Sequence, residues 1–117
     1  MNKTLTILLS IFLLSSVSYS QSKMNFNNLV EYGGKKFKPN DDEPYTGRVF
    51  DLYESGQKKL EGFYKDGLKN QKWTWWYENG QKWLEETYKD GEVISEKCWD
   101  EDGYERECYS MKRLWLK

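Results

Sequence analysis

The stretch Tyr53-Glu54-Ser55-Gly56-Gln57-Lys58-Lys59-Leu60, followed by Tyr64-Lys65-Asp66-Gly67, returns 24 residues later as Tyr77-Glu78-Asn79-Gly80-Gln81-Lys82-Trp83-Leu84 and Tyr88-Lys89-Asp90-Gly91. A period of this size marks a supersecondary unit that cannot bury its apolar face alone, so the units must stack and function falls to the surface of the stack. A decayed third copy follows, because Trp99-Asp100-Glu101-Asp102-Gly103 echoes Trp76-Tyr77-Glu78-Asn79-Gly80 at a shift of 23. Its return strand, Tyr104 to Ser110, has lost the Gln-Lys-x-Leu wording, as a terminal unit facing water on one side is free to do.

Ser55-Gly56 and Asn79-Gly80 lie between runs rich in aromatic and β-branched residues, which predicts two-residue hairpin turns with positive φ. Asp66-Gly67 and Asp90-Gly91 are expected to turn the chain between units, and Gly103 closes the third. A two-residue loop at Asn79-Gly80 sets Trp76 opposite Trp83 and Trp75 opposite Leu84. Alternation then places Val49, Asp51, Tyr53, Leu60 and Tyr64, with Trp73, Trp75, Tyr77, Leu84 and Tyr88 one unit on, along one face, the expected core. The other face reads Phe50, Leu52, Lys59, Glu61, Phe63 and then Thr74, Trp76, Trp83, Glu85, Thr87, with no chemistry repeated. Trp76, Trp83, Phe50 and Phe63 form the candidate binding face. A Trp76–Trp83 pair is either a platform for a sugar, peptide or partner chain, or a hairpin brace contributing about 0.5–1.5 kcal/mol, the second being the commoner use.

Lys3 and an apolar run from Leu5 to Leu14 precede Ser18-Tyr19-Ser20, the pattern of a secretory signal peptide over residues 1–20. The run is shorter than the roughly 20 residues that span a bilayer. Residues 21–44 read as a loose leader and a short opening strand at Glu31–Phe37, and residues 45–110 as the repeat domain, with units near 45–68, 69–92 and 93–110. The basic tail 111–117 reads as a closing strand in preference to a weak contact with an anionic membrane. Without its first twenty residues the 117-residue chain keeps 97, enough for one small domain that relies on aromatic packing or staples. It then carries 17 basic and 19 acidic side chains, a balance that argues against a nucleic-acid binder.

The chain has no His, which excludes Ser-His and Cys-His hydrolases and most zinc sites. Cys98 and Cys108 read as a disulfide rather than as metal ligands, with two unjoined thiols as the alternative.

Tyr45-Thr46-Gly47, the two Tyr-Glu-x-Gly-Gln-Lys segments and the two Tyr-Lys-Asp-Gly segments make residues 45–103 resemble the MORN-variant repeats of bacterial proteins. The resemblance implies an all-β fold of stacked antiparallel hairpins in an elongated, single-layer sheet, here preceded by a signal-peptide helix. The family's common label is the antitoxin component of a toxin–antitoxin pair, a role at odds with an export signal. Two departures stand out. The family glycine kept as Gly47 is Gln71 and then Ser95, so a positive φ at Gln71 costs about 1 kcal/mol; and Gly62 becomes Glu86, so packing opposite Trp73 is expected to be tighter than opposite Val49.

The expected function is that of a non-catalytic module for protein–protein interaction or scaffolding at the cell envelope, exported to the periplasm, cell surface or medium. Carbohydrate or cell-wall binding on the aromatic face and an antitoxin or immunity-like role are the alternatives. No catalytic residues, cofactor or metal are expected, and paired carboxylates such as Glu85/Glu86 read as solvated strand residues.

Overall fold

Two kinds of turn shape the chain. At Asp66-Gly67 and Asp90-Gly91 both residues take positive φ, 51 and 81° in the first and 51 and 86° in the second. This is the two-residue loop whose twist suits antiparallel strands, and it closes on the pairs Lys65↔Leu68 and Lys89↔Glu92. The turns at Gly56, Gly80 and Gly103 are longer than expected. Gly80 N–H donates to the Tyr77 carbonyl at 3.1 Å and Tyr77 N–H to the Gln81 carbonyl at 2.8 Å, and the same two bonds recur at Tyr53/Gly56/Gln57 and Asp100/Gly103/Tyr104. Only the glycine is left-handed there, so the loop holds three residues and the return strand gains one. Asn79 fixes this geometry by accepting the Gln81 N–H at 2.9 Å and donating to the Glu101 carbonyl at 3.0 Å.

The structure, a computed structural model, describes the backbone of residues 23–115 and the side chains of residues 23–113. The expected signal peptide and the last two tail residues lie outside the described residues. The strands are β1 (Lys23–Asn25), β2 (Val30–Tyr32), β3 (Lys35–Phe37), β4 (Gly47–Leu52), β5 (Lys58–Lys65), β6 (Leu68–Trp76), β7 (Lys82–Lys89), β8 (Glu92–Trp99) and β9 (Glu105–Arg106). They form a seven-stranded sheet in the order β1-β4-β5-β6-β7-β8-β9 and a separate β2-β3 pair. The described residues are all-β apart from a 3-10 turn at Phe26–Asn28 and one helix, α1 (Cys108–Trp115).

Both ends differ from the sequence expectation. From Lys23 on the leader is not loose: β1 pairs in parallel with β4, and Met24, Phe26 and Leu29 join the core. The single opening strand is instead the β2-β3 hairpin, turned by Gly33 and Gly34 and tied to the sheet where Lys36 N–H donates to the Gly67 carbonyl at 3.0 Å. At the other end only Glu105 and Arg106 pair with β8, and the expected return and closing strands give way to α1. Helical spacing of three and four residues brings Cys108, Met111 and Lys112 to one side. There Met111 is buried beside Leu84 and Tyr77, and Cys108 is joined to Cys98, with Cα atoms 5.1 Å apart.

One face of the sheet carries the core. Val49, Leu60, Tyr64, Trp73 and Tyr88 pack with Tyr45 and Leu29, while Tyr77, Leu84, Cys98 and Met111 form a second group, and Trp75 touches both. Trp73 is fully buried, with Tyr64 at 5.0 Å and Tyr88 at 6.1 Å between ring centroids, both edge-on. Gly62 permits this, since a Cβ there would stand 2.2 Å from Trp73 Cδ2. Opposite Trp73 stands Glu86, buried, accepting the Tyr88 hydroxyl at 2.8 Å and Lys112 Nζ at 3.1 Å. Gln71 has φ 65° whereas Gly47 is near-extended at 157°, so the two do not share a backbone conformation. Along β8 the pairing with β7 slips between Thr87 and Tyr88, leaving Ile94 as an extra residue.

Candidate functional site

Alternation on β4, β5 and β6 sends Arg48, Phe50, Glu61, Phe63, Thr74 and Trp76 to the face away from the core. Phe50, Phe63 and Trp76 are half-buried there, and Lys23 Nζ lies 5.2 Å from the Phe50 ring centroid. Ion pairs run between the aromatics: Lys58–Glu61 at 3.0 Å, Lys72–Glu85 at 3.3 Å and Lys82–Glu85 at 3.5 Å.

Trp83 is not part of this surface. The three-residue turn puts Trp76 opposite Lys82 and Trp75 opposite Leu84, leaving Trp83 as the extra residue of β7. Its ring lies 6.4 Å from those of Trp75 and Tyr77, on the core side. Lys59 occupies the matching place on β5 and sits over Tyr53 at 5.6 Å. The partner of Trp76 is instead Lys58, whose Nζ is 5.6 Å from the indole centroid.

The residue that sequence reasoning passed over is Trp99. Buried Cys98 faces the core, so Trp99 faces the open side, and it lines a groove of about 380 Å³ with Trp76, Gly80, Gln81, Lys82 and Gly103. The signal was present in the echo of Trp76 by Trp99. Of the four proposed binding residues, Trp76, Phe50 and Phe63 share the open face.

The strongest electrostatic perturbations lie on the core side. Burial, then the carboxylate of Glu31, raises the Tyr64 phenol to about 12. Burial, with the hydrogen bond to Glu86 and that group's charge, raises Tyr88 as well. Lys69 Nζ sits among the rings of Trp73, Tyr88 and Trp75 at 4.8, 5.0 and 5.6 Å, and its burial lowers its pKa against the pull of Glu86. The hydrogen bond from Lys112 holds Glu96 below its ordinary value, and that bond in turn raises Lys112. Among the described residues no group of three or more His, Cys, Asp or Glu side chains is placed to hold a metal ion. No helix among them is long and apolar enough to cross a membrane.

No family model matches the chain, and neither a curated protein nor a solved structure is significantly similar to it.

Proposed function

We propose that this is an exported, non-catalytic module built of stacked MORN-like hairpins, and that it holds a protein partner against the open face of its sheet. The observation that carries the reading is the contrast between the two faces. One is filled by interlocking Tyr, Trp and Leu side chains at matching positions of the 24-residue period. The other sets half-buried Phe50, Phe63, Trp76 and Trp99 among mutually paired lysines and glutamates. Aromatic anchors ringed by satisfied charges are the composition of a protein-binding surface. The Cys98–Cys108 disulfide is compatible with an oxidising compartment outside the cytoplasm.

The test is site-specific photocrosslinking in the native cell. A photoreactive residue at Phe50 or Trp76 is expected to give one discrete adduct that the same residue at exposed Tyr109 does not. Absence of any adduct from all open-face positions sinks the proposal. A second reading, a glycan held between Trp76 and Trp99, draws on the groove they share with Gln81 and Lys82. Quenching of tryptophan fluorescence by cell-wall saccharides, abolished by Trp99→Ala, distinguishes it.

A further inference from the structure

One row of side chains on the open face crosses five strands: Leu52 on β4, Lys58 on β5, Trp76 on β6, Lys82 on β7 and Trp99 on β8. Leu52 and Lys58 are register partners, as are Trp76 and Lys82. Lys58 Nζ stands over the Trp76 ring, and Lys82 and Trp99 line one groove with Trp76. Both lysines are already ion-paired, Lys58 with Glu61 and Lys82 with Glu85, so what the row offers a ligand is its apolar side chains. These sit on every second strand, immediately before Tyr53, Tyr77 and Asp100, which open the three-residue turns. Two strand spacings, about 9.5 Å, separate neighbouring anchors, and about 19 Å separates Leu52 from Trp99.

The indoles also carry unspent donors. The Trp73 indole N–H donates to the Phe63 carbonyl at 3.1 Å, whereas those of Trp76 and Trp99 meet no acceptor among the described residues. A matching ligand therefore repeats an apolar contact at the interval of the row and leaves its carbonyls free. An extended β-strand returns a side chain to the same side every 6.8 Å or about that, which misses the interval. An α-helix has its carbonyls bonded internally. A polyproline II helix meets both conditions, since three residues make a turn of about 9.3 Å and its backbone makes no internal hydrogen bonds. Proline brings no N–H of its own, and aromatic-lined grooves are the usual receptors of such segments. We infer that the open face binds a proline-rich segment of its protein partner in the polyproline II conformation, residues three apart seating against Trp99, Trp76 and Leu52 in turn. The inference rests on the reading of that face as a protein-binding surface.

The purified protein, isotopically labelled, is titrated with decaproline while the indole N–H signals of its six tryptophans are followed, those of Trp76 and Trp99 being assigned by their loss in phenylalanine variants. The expected result is saturable movement of the Trp76 and Trp99 signals, with Trp73, whose N–H is already taken, unmoved. A glycine–serine peptide of equal length, which is a flexible coil, moves neither. Trp99→Ala is expected to weaken binding at least about tenfold, the loss of one aromatic anchor. Leu52→Ser, at a side chain 45% exposed, leaves the fold intact and abolishes the advantage of decaproline over tetraproline, which is too short to reach a third anchor. Thermal melts verify both variants, and the Leu52 comparison decides the matter if Trp99→Ala unfolds. Indole signals that ignore decaproline, or Trp99→Ala protein that binds it at full strength, overturn the inference. Movement with cell-wall saccharides alone overturns it too and gives the groove to a glycan. Photocrosslinks at Phe50 or Trp76 alongside unresponsive indoles keep the protein partner and remove only the polyproline segment, whereas absence of crosslinks removes the partner and the inference with it.

Discussion

The Tyr77 hydroxyl donates a 2.8 Å hydrogen bond to the carbonyl of Trp99, as the Tyr53 hydroxyl does to the carbonyl of Trp76 at 2.5 Å. Each tyrosine sits at the corner of a three-residue turn, and its ring crosses to the strand that enters the following turn. The latch explains why the tyrosine recurs with the period: a Phe fills the same space and loses the bond. Burial, then the charges of Glu78 and Asp51, raises the Tyr53 phenol, keeping it protonated as a donor.

Tyr77→Phe is therefore expected to lower unfolding free energy by about 1 kcal/mol, the ordinary net contribution of one such bond. Urea denaturation at neutral pH measures it, and an unchanged midpoint shows that the latch contributes nothing.

Two glycines are expected to respond to alanine for different reasons. At Gly56, with φ 87° and nothing within 4 Å of the added methyl, the cost is backbone strain of about 1 kcal/mol. At Gly62 the added methyl runs into the Trp73 indole, and overpacking costs about 3 kcal/mol. Thermal melts of the two variants rank them, and a Gly62→Ala protein as stable as Gly56→Ala contradicts the packing described.

Tyr64 presents the opposite case, because its buried hydroxyl has no hydrogen-bond partner. Tyr64→Phe is expected to raise stability by about 1 kcal/mol, the penalty of a buried unsatisfied group being removed. The phenol also links stability to alkaline pH. Its folded pKa, about 12, lies above the ordinary phenol value of 10.0, so its contribution is whole below pH 10 and is lost as pH rises through 12. Absorbance titration of tyrosinate is expected to show Tyr64 ionising only with unfolding, and the phenylalanine variant to lose less stability over that window.

Reduction of Cys98–Cys108 is expected to cost about 2–3 kcal/mol, for a link closing a short loop. Amide exchange should then quicken first in α1, which depends on the bond together with Met111 and on the Lys112 contacts with Glu86 and Glu96. Uniform quickening across β5 and β6 runs against this.

The strands and the sidedness of the sheet were legible because aromatic and polar residues alternate through three matching segments, and the Asp-Gly turns behave as their dipeptides suggest. The Asn-Gly turn misled, since Asn79 uses its side chain to hold a longer loop, and one residue of difference moved Trp83 to the core side. Helix α1 was hidden because Cys108 to Trp115 is too short for a helical period to stand out and its docking depends on Cys98, ten positions away.

Along β8, from Glu92 to Lys97, the described chain leaves the outer rim without a neighbouring strand, and Ile94 interrupts that rim with its extra residue. A straight rim would serve as a template on which copy after copy zips into a fibre. The kink spoils the spacing that such growth requires, and so disfavours edge-to-edge stacking of copies along β8.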